Sequence, residues 1–125
     1  MRNLTNSQKS IWVTEQYYKG SSVNNICGSA IINEQIDFDK LEKAVQIVYQ
    51  KHDNFRLQLR IEDGEAKQIL SEKKETEIEI ICVATPKELE QEFRKIVRTP
   101  FKLENSELFK FYIFKFKNGE GRIYA

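Results

Sequence analysis

The chain has 125 residues, of which 40% are hydrophobic and 31% charged, with 20 Lys and Arg against 19 Asp and Glu. This is a globular composition, long enough for one domain with a real core, and it excludes a disordered tail. A net charge of +1 with interspersed signs gives no field for nucleic acid or an anionic membrane, so neither partner is expected.

The spacing predicts a helix over 4–19, with Leu4, Ile11, Trp12 and Tyr18 on one face. Thr5 and Gln8 form a capping-box pattern, and Gly20 is a natural stop. Residues 22–33 read as a strand with small residues at its middle. Asp37 caps a second helix to about residue 51, whose apolar stripe is Phe38, Leu41, Ala44, Val45 and Val48. Lys40, Glu42, Lys43 and Gln46 fall on its solvent side.

From Phe55 to Glu62 apolar and polar residues alternate, which predicts a half-buried strand. Asp63-Gly64 turns the chain into a return strand over 66–70. A polar linker over 71–76 leads to a strand over 77–83. Thr85, Pro86 and Glu88 start a third helix with Leu89, Phe93, Ile96 and Val97 inward, ended by Thr99-Pro100. A long strand is expected over 107–117, with aromatics on both faces of its middle. Asn118-Gly119 turns the chain once more, and a strand begins at Gly121.

The order predicts mixed α/β layers with a partly antiparallel sheet. The last strand has no terminating signal, so residues 1–125 are expected to be a single partial domain cut from a longer one. The start, MRNLTNSQKS, lacks the apolar core of a signal peptide, and no apolar run approaches the roughly 18 residues of a membrane span. A cytoplasmic, reducing location is the expectation. Cys27 and Cys82 lie in strand-like sequence and are expected to be buried free thiols. With one His and no Cys-x-x-Cys, no metal site is expected.

The only histidine sits in KHDNFR, residues 51–56. His52 beside Asp53 invites a base-and-acid reading, but neighbours in sequence do not face one another on a helix, and no nucleophile elbow is present. A His held at the negative end of a helix dipole is the better account. Arg56 allows two readings: a buried structural ion pair, or an exposed surface arginine. Phe109, Phe111, Tyr112, Phe114 and Phe116 alternate with lysines, which could stack bases, but the near-neutral charge favours core packing. No phosphate loop, dinucleotide fingerprint or calcium loop occurs. The residues alone stop at a soluble α/β domain.

Taken together, the motifs resemble the N-terminal part of the condensation domain of nonribosomal peptide synthetases. That family opens on Leu-Thr-x-x-Gln-x-x-Ile-Trp, matched by Leu4, Thr5, Gln8, Ile11 and Trp12. Its Arg-His-Glu-x-Leu-Arg is matched, with conservative changes, by Lys51, His52, Asp53, Asn54, Phe55 and Arg56. A hairpin with Asp63, Gly64, Gln68 and Ile69 follows in order, then Pro100, Phe101, Leu103, Leu108 and Phe109. The ordered set covers essentially the whole chain.

The resemblance implies a fold class of α/β (α+β type): a partial chloramphenicol-acetyltransferase-like lobe, with a mixed, largely antiparallel sheet and helices packed on it. It implies an enzyme that joins aminoacyl or peptidyl thioesters, carried on the phosphopantetheine arms of carrier proteins, by amide bonds. The family's catalytic His-His-x-x-x-Asp-Gly follows the strand that begins near Gly121 and is not among these residues, so no catalytic residue is expected in this chain. By resemblance Arg56 supports that loop through the motif's Asp and is left unpaired or solvated here. Carrier-protein domains and adjacent synthetase domains are the implied partners. Epimerisation, heterocyclisation and other acyltransferase relatives share this pattern, and a non-catalytic docking scaffold is the alternative. A strand edge exposed by truncation is expected to make the chain self-associate.

Overall fold

The computed structural model describes residues 1–125. Each of its helices starts where the sequence supplies a cap. In α1 (Asn6–Tyr17) the Gln8 N–H donates to Thr5 Oγ1 at 3.3 Å, and the Thr5 N–H donates to Gln8 Oε1 at 2.8 Å. Asp37 accepts from the Lys40 N–H at 3.1 Å to start α2 (Phe38–Lys51). Thr85 accepts from the Glu88 N–H at 3.1 Å to start α3 (Pro86–Arg98), and the Glu88 carboxylate accepts from the Ala84 N–H at 2.7 Å. Such caps satisfy donors that a helix start leaves open, each worth about 1 kcal/mol.

The strands are β1 (Arg2–Asn3), β2 (Ser29–Ile32), β3 (Leu57–Glu62), β4 (Glu65–Leu70), β5 (Ile78–Val83), β6 (Phe111–Phe116) and β7 (Gly121–Tyr124). They form two sheets, of order β1-β4-β3 and β2-β7-β6-β5, in place of the single sheet expected. Only β5 and β6 pair in parallel, across the α3 crossover; every other pairing is antiparallel. The β3–β4 hairpin turns through Asp63 at φ 52° and Gly64 at φ 78°, the left-handed pair that a tight hairpin requires.

In β6, Phe111, Tyr112, Ile113 and Phe114 are all buried, as the aromatics on both faces predicted. Tyr112 and Phe114 pack with Val83, Leu89 and Tyr124 against Phe93 and Ile96 of α3. On the other face Phe111 packs with Val45 and Tyr49 of α2. Burial of this kind contributes about 1.5–3 kcal/mol per large apolar side chain.

Several expectations are corrected. The strand expected over 22–33 is only Ser29–Ile32. The residues before it form a loop, because Asn25 Nδ2 donates to the Val97 and Thr99 carbonyls, each at 2.9 Å, and ties the chain to the end of α3. The strand expected from residue 107 begins at Phe111, since the Asn105 N–H bonds the Leu59 carbonyl at 2.8 Å and draws the preceding stretch towards β3. Phe55 and Arg56 belong to a 3-10 turn, Asp53–Arg56, and not to a strand.

Cys27 and Cys82 are free but exposed. Cys82 alternates with the inward Ile81 and Val83 on the outer strand β5, and Cys27 lies in the loop before β2. In α1 no residue is buried: Leu4, just before it, reaches the core, while Ile11 and Tyr18 stay exposed. In α2 the core positions are Val45 and Tyr49, with Val48 exposed. Gln46 leaves the expected solvent side, exchanging bonds of 3.0 and 2.6 Å with the Thr76 backbone.

Gly121 is a packing glycine. A Cβ there would lie 2.8 Å from Ile36 Cδ1 and 3.0 Å from both the Phe114 carbonyl and Phe38 Cε1. Gly121→Ala should destabilise the chain by about 1–3 kcal/mol in urea denaturation. Gly28→Ala, where a Cβ meets nothing within 4 Å, should change stability by less than about 0.5 kcal/mol.

Candidate functional site

His52 closes α2, its N–H bonding the Val48 carbonyl at 3.2 Å. The imidazole is exposed, joins no hydrogen bond or ion pair, and stands edge-on to Phe55 at 6.2 Å between centroids. This is the helix-terminal role, not half of an acid–base pair.

Arg56 meets the first of the two readings, a structural ion pair on a largely buried guanidinium, and not the second. Its side chain is 19% exposed, so it is neither a surface arginine nor solvated. One Nη pairs with Asp53, one turn back, and the other donates to the Ser71 carbonyl at 3.1 Å. The expectation of an unpaired guanidinium is thus corrected, because the tight 53–56 turn brings Asp53 within reach. Nε remains: it is buried and has no partner within the chain. A guanidinium donor left so is costly unless something accepts from it.

Phe55, in the same turn, holds the interior together. Its ring meets Phe109 at 4.6 Å and Phe111 at 5.4 Å, both edge-to-face, and Tyr49 at 6.5 Å. The Tyr49 hydroxyl donates to Glu107 Oε1 at 2.9 Å, and Lys73 Nζ reaches the same oxygen at 2.9 Å. Burial, then the Glu107 carboxylate, push the Tyr49 phenol up to about 12. Burial and then Glu79 also raise Tyr112. These bonds fix the stretch between α3 and β6 on the rest of the fold.

That stretch borders an apolar cleft of about 480 Å³, lined among others by Ile11, Ile26, Phe93, Phe109, Tyr112 and Ala125. β7 therefore runs to the cleft, where Gly28 and Ala125 exchange backbone bonds of 2.8 and 3.0 Å. A polar cleft of about 580 Å³, which includes Lys73, Glu79, Lys102 and Glu107, shares Phe101, Phe109, Lys110 and Tyr112 with it. Lys110 Nζ stands 5.6 Å over the Phe101 ring at this shared rim.

The remaining motif positions are dispersed. Gln8 Nε2 donates to Gln68 Oε1 at 3.3 Å and ties α1 to β4. Trp12 is half-buried on α1, and Pro100 is exposed beside the polar cleft. The Tyr49–Glu107–Lys73 group and the cleft were missed in the sequence. Tyr49 could have been found, four residues after Val45 on the same stripe; Glu107 and Lys73 carry no local signal. No helix is long and apolar enough to cross a membrane.

A family model described as Condensation domain matches residues 1–125. Surfactin synthase subunit 1 of Bacillus subtilis (strain 168) is 33% identical over 98% of this chain and 4% of its own length. A plipastatin synthase of the same organism is 31% identical over 98% of this chain and 5% of its own length. The chain thus spans about a twentieth of the curated relatives it matches. Among solved structures, the starter condensation domain of rhizomide synthetase superposes with a TM-score of 0.88 at 24% identity, over 98% of this chain and 29% of that one. The first condensation domain of the calcium-dependent antibiotic synthetase gives 0.88 at 15% identity, over 98% and 31%. Both confirm the fold, a partial lobe with helices on antiparallel-rich sheets.

The Tyr49 phenol sets an alkaline limit. Its folded value is raised, so its contribution to stability is whole below the unfolded value near 10 and is lost as pH rises towards about 12. Urea midpoints measured across that window should fall, and Tyr49→Phe should flatten the fall while costing about 1 kcal/mol at neutral pH.

Proposed function

The chain belongs to the condensation-domain family, and from that premise we propose that it builds the N-terminal scaffold of a domain that joins carrier-bound thioesters by amide bonds. In that reaction the acceptor amine attacks the donor thioester carbonyl, the C–N bond forms, the C–S bond breaks, and the amine's proton leaves to a base. The two substrates arrive on phosphopantetheine arms of carrier-protein domains in a synthetase working in the cytoplasm. The base and its loop come from residues that follow β7 in the parent domain.

One observation carries this reading: β7 reaches an apolar cleft, and the 53–56 turn braces its wall through Phe55 and Phe109. A thioester-bearing arm and a neutral amine are compatible with such a lining, because excluding water preserves the thioester and keeps the nucleophile oriented. Arg56 is proposed as a positioning residue. Its buried Nε–H is available for the Asp of a following His-His-x-x-x-Asp-Gly, while Asp53 and Ser71 hold the guanidinium in place. A carboxylate there would complete the donor set with a charge-assisted bond.

The test is made in the parent two-lobed domain, with carrier-bound donor and acceptor. Arg56→Ala should lower single-turnover condensation roughly 10²-fold with folding intact, as expected when a reacting loop is displaced by about 1 Å. Arg56→Lys, which keeps the charge but not the fork, should recover only part of the rate. The 125-residue chain alone should show no turnover. Activity of that chain by itself, or a parent domain indifferent to Arg56→Ala, would sink the proposal; a parent lacking the His motif would point to a docking scaffold.

A further inference from the structure

The linker between β4 and β5 has no ladder of its own, yet both of its ends are pinned. At its start the Ser71 N–H donates to the Arg56 carbonyl at 2.9 Å, and the Ser71 carbonyl accepts from the Arg56 guanidinium at 3.1 Å. At its end the Thr76 backbone is held by Gln46. Between these ends Glu72, Lys74 and Glu75 are exposed, and Lys73 supplies the polar contacts. Its backbone N–H donates to Ser71 Oγ at 3.1 Å, and its Nζ meets Glu107 Oε1 at 2.9 Å.

Of the six ion pairs, only Lys73–Glu107 joins segments more than five residues apart. Pairs such as Arg94–Glu90 lie exposed on one helix and contribute little. Glu107 is in a different position. Its side chain is 21% exposed, and the oxygen that meets Lys73 also accepts from the hydroxyl of Tyr49, a fully buried residue. That carboxylate is already ordered by a second donor, so Lys73 finds a fixed partner and gives up only its own freedom to meet it. Lys73 is thereby held at its backbone and at its ammonium.

We propose that Lys73 and Glu107 are positioning residues that orient the Arg56 guanidinium through Ser71, an inference that rests on the role proposed for Arg56. The Ser71 carbonyl belongs to the planar peptide leading to Glu72, so its direction follows the course of residues 72 and 73. Glu107 holds Lys73, Lys73 holds that course, and the Ser71 carbonyl holds one Nη. Asp53 holds the other. With both Nη groups fixed, the planar fork has one orientation and its Nε–H one direction. A second route joins the same turn to the stretch between α3 and β6, the Phe55 ring on Phe109 at 4.6 Å. Ring packing sets how near the two segments lie; the polar route sets how the guanidinium is turned. All of these contacts lie within residues 49–109.

The test is made in the parent two-lobed domain with carrier-bound donor and acceptor, and by NMR of its Nε–H groups after isotope labelling of arginine. Lys73→Met keeps the aliphatic stem at a half-exposed side chain and leaves Tyr49 bonded to Glu107, so the far-UV spectrum should not change. It should lower single-turnover condensation about tenfold, with the acceptor-carrier concentration for half-maximal rate unaltered. Lys73→Arg, which reaches the same carboxylate, should restore most of the rate. On an Arg56→Ala background Lys73→Met should change the rate by less than about twofold, because its effect passes through Arg56. The Arg56 Nε–H signal, identified by its loss in Arg56→Ala, should shift and exchange faster with water in Lys73→Met. An unchanged rate, an unmoved Arg56 signal, or a loss of equal size on the Arg56→Ala background would each overturn the inference and leave the role of Arg56 standing. A parent domain indifferent to Arg56→Ala would overturn that role instead, and the Nε–H signal separates the two failures: a moved signal keeps the brace, an unmoved one removes it.

Discussion

The strand that is buried on both faces governs this molecule. β6 places four consecutive large residues, Phe111 to Phe114, where neither side meets water. A strand can be so placed only if another layer covers each face, and the two longest helices take those positions. Tyr112 and Phe114 require α3; Phe111 requires α2. β5 and β7 then pair on either side of β6, one parallel and one antiparallel. The parallel partner exists because α3 returns the chain over the sheet, and the antiparallel one because Asn118-Gly119 reverses it, Gly119 at φ 87°.

From that centre the irregular segments acquire their purpose. The stretch between α3 and β6 is held to the fold by the packing of Phe109 on Phe55 and by specific bonds that involve Tyr49, Lys73 and Asn105. The turn at the end of α2 sends Phe55 inward to the aromatic cluster and Arg56 sideways to Asp53 and the Ser71 carbonyl. One short segment thereby braces the cleft wall and holds a guanidinium rigidly. Rigid support from packed and hydrogen-bonded neighbours is what a reacting loop needs, since its own residues lie on irregular backbone.

Much of this was legible in the sequence, and the failures have a common cause. Helix starts at Thr5, Asp37 and Thr85, and the turn at Asp63-Gly64, depend on neighbours within four residues, so local chemistry reveals them. The misread segments, 22–28 and 107–110, hold Val23, Ile26, Leu108 and Phe109, whose types favour strands but whose backbones are diverted by the bonds of Asn25 and Asn105 to distant carbonyls. Nothing in the local pattern marks such a bond. Cys82 was misplaced because period two fixes alternation but not which face is covered. Division into two sheets was hidden for a similar reason: pairing partners are a property of the whole chain. The ordered motifs indicated the family; the fixed guanidinium with one open donor required coordinates.

The pairing of β2 with β7 joins segments roughly ninety residues apart, whereas the β3–β4 hairpin closes over two residues and each helix over four. During synthesis β2 is made early and has no partner until β7 follows, after α2, the hairpin and the β5-α3-β6 unit. The hairpin, α2 and the β5-α3-β6 unit can each gather locally in that interval, and the outer strand zips on last because its loop is the costliest to close. Order of assembly thus runs inward to outward, not start to end. A contact that forms after the folding barrier slows unfolding without speeding folding, which is the behaviour that the long loop predicts for the β2 ladder.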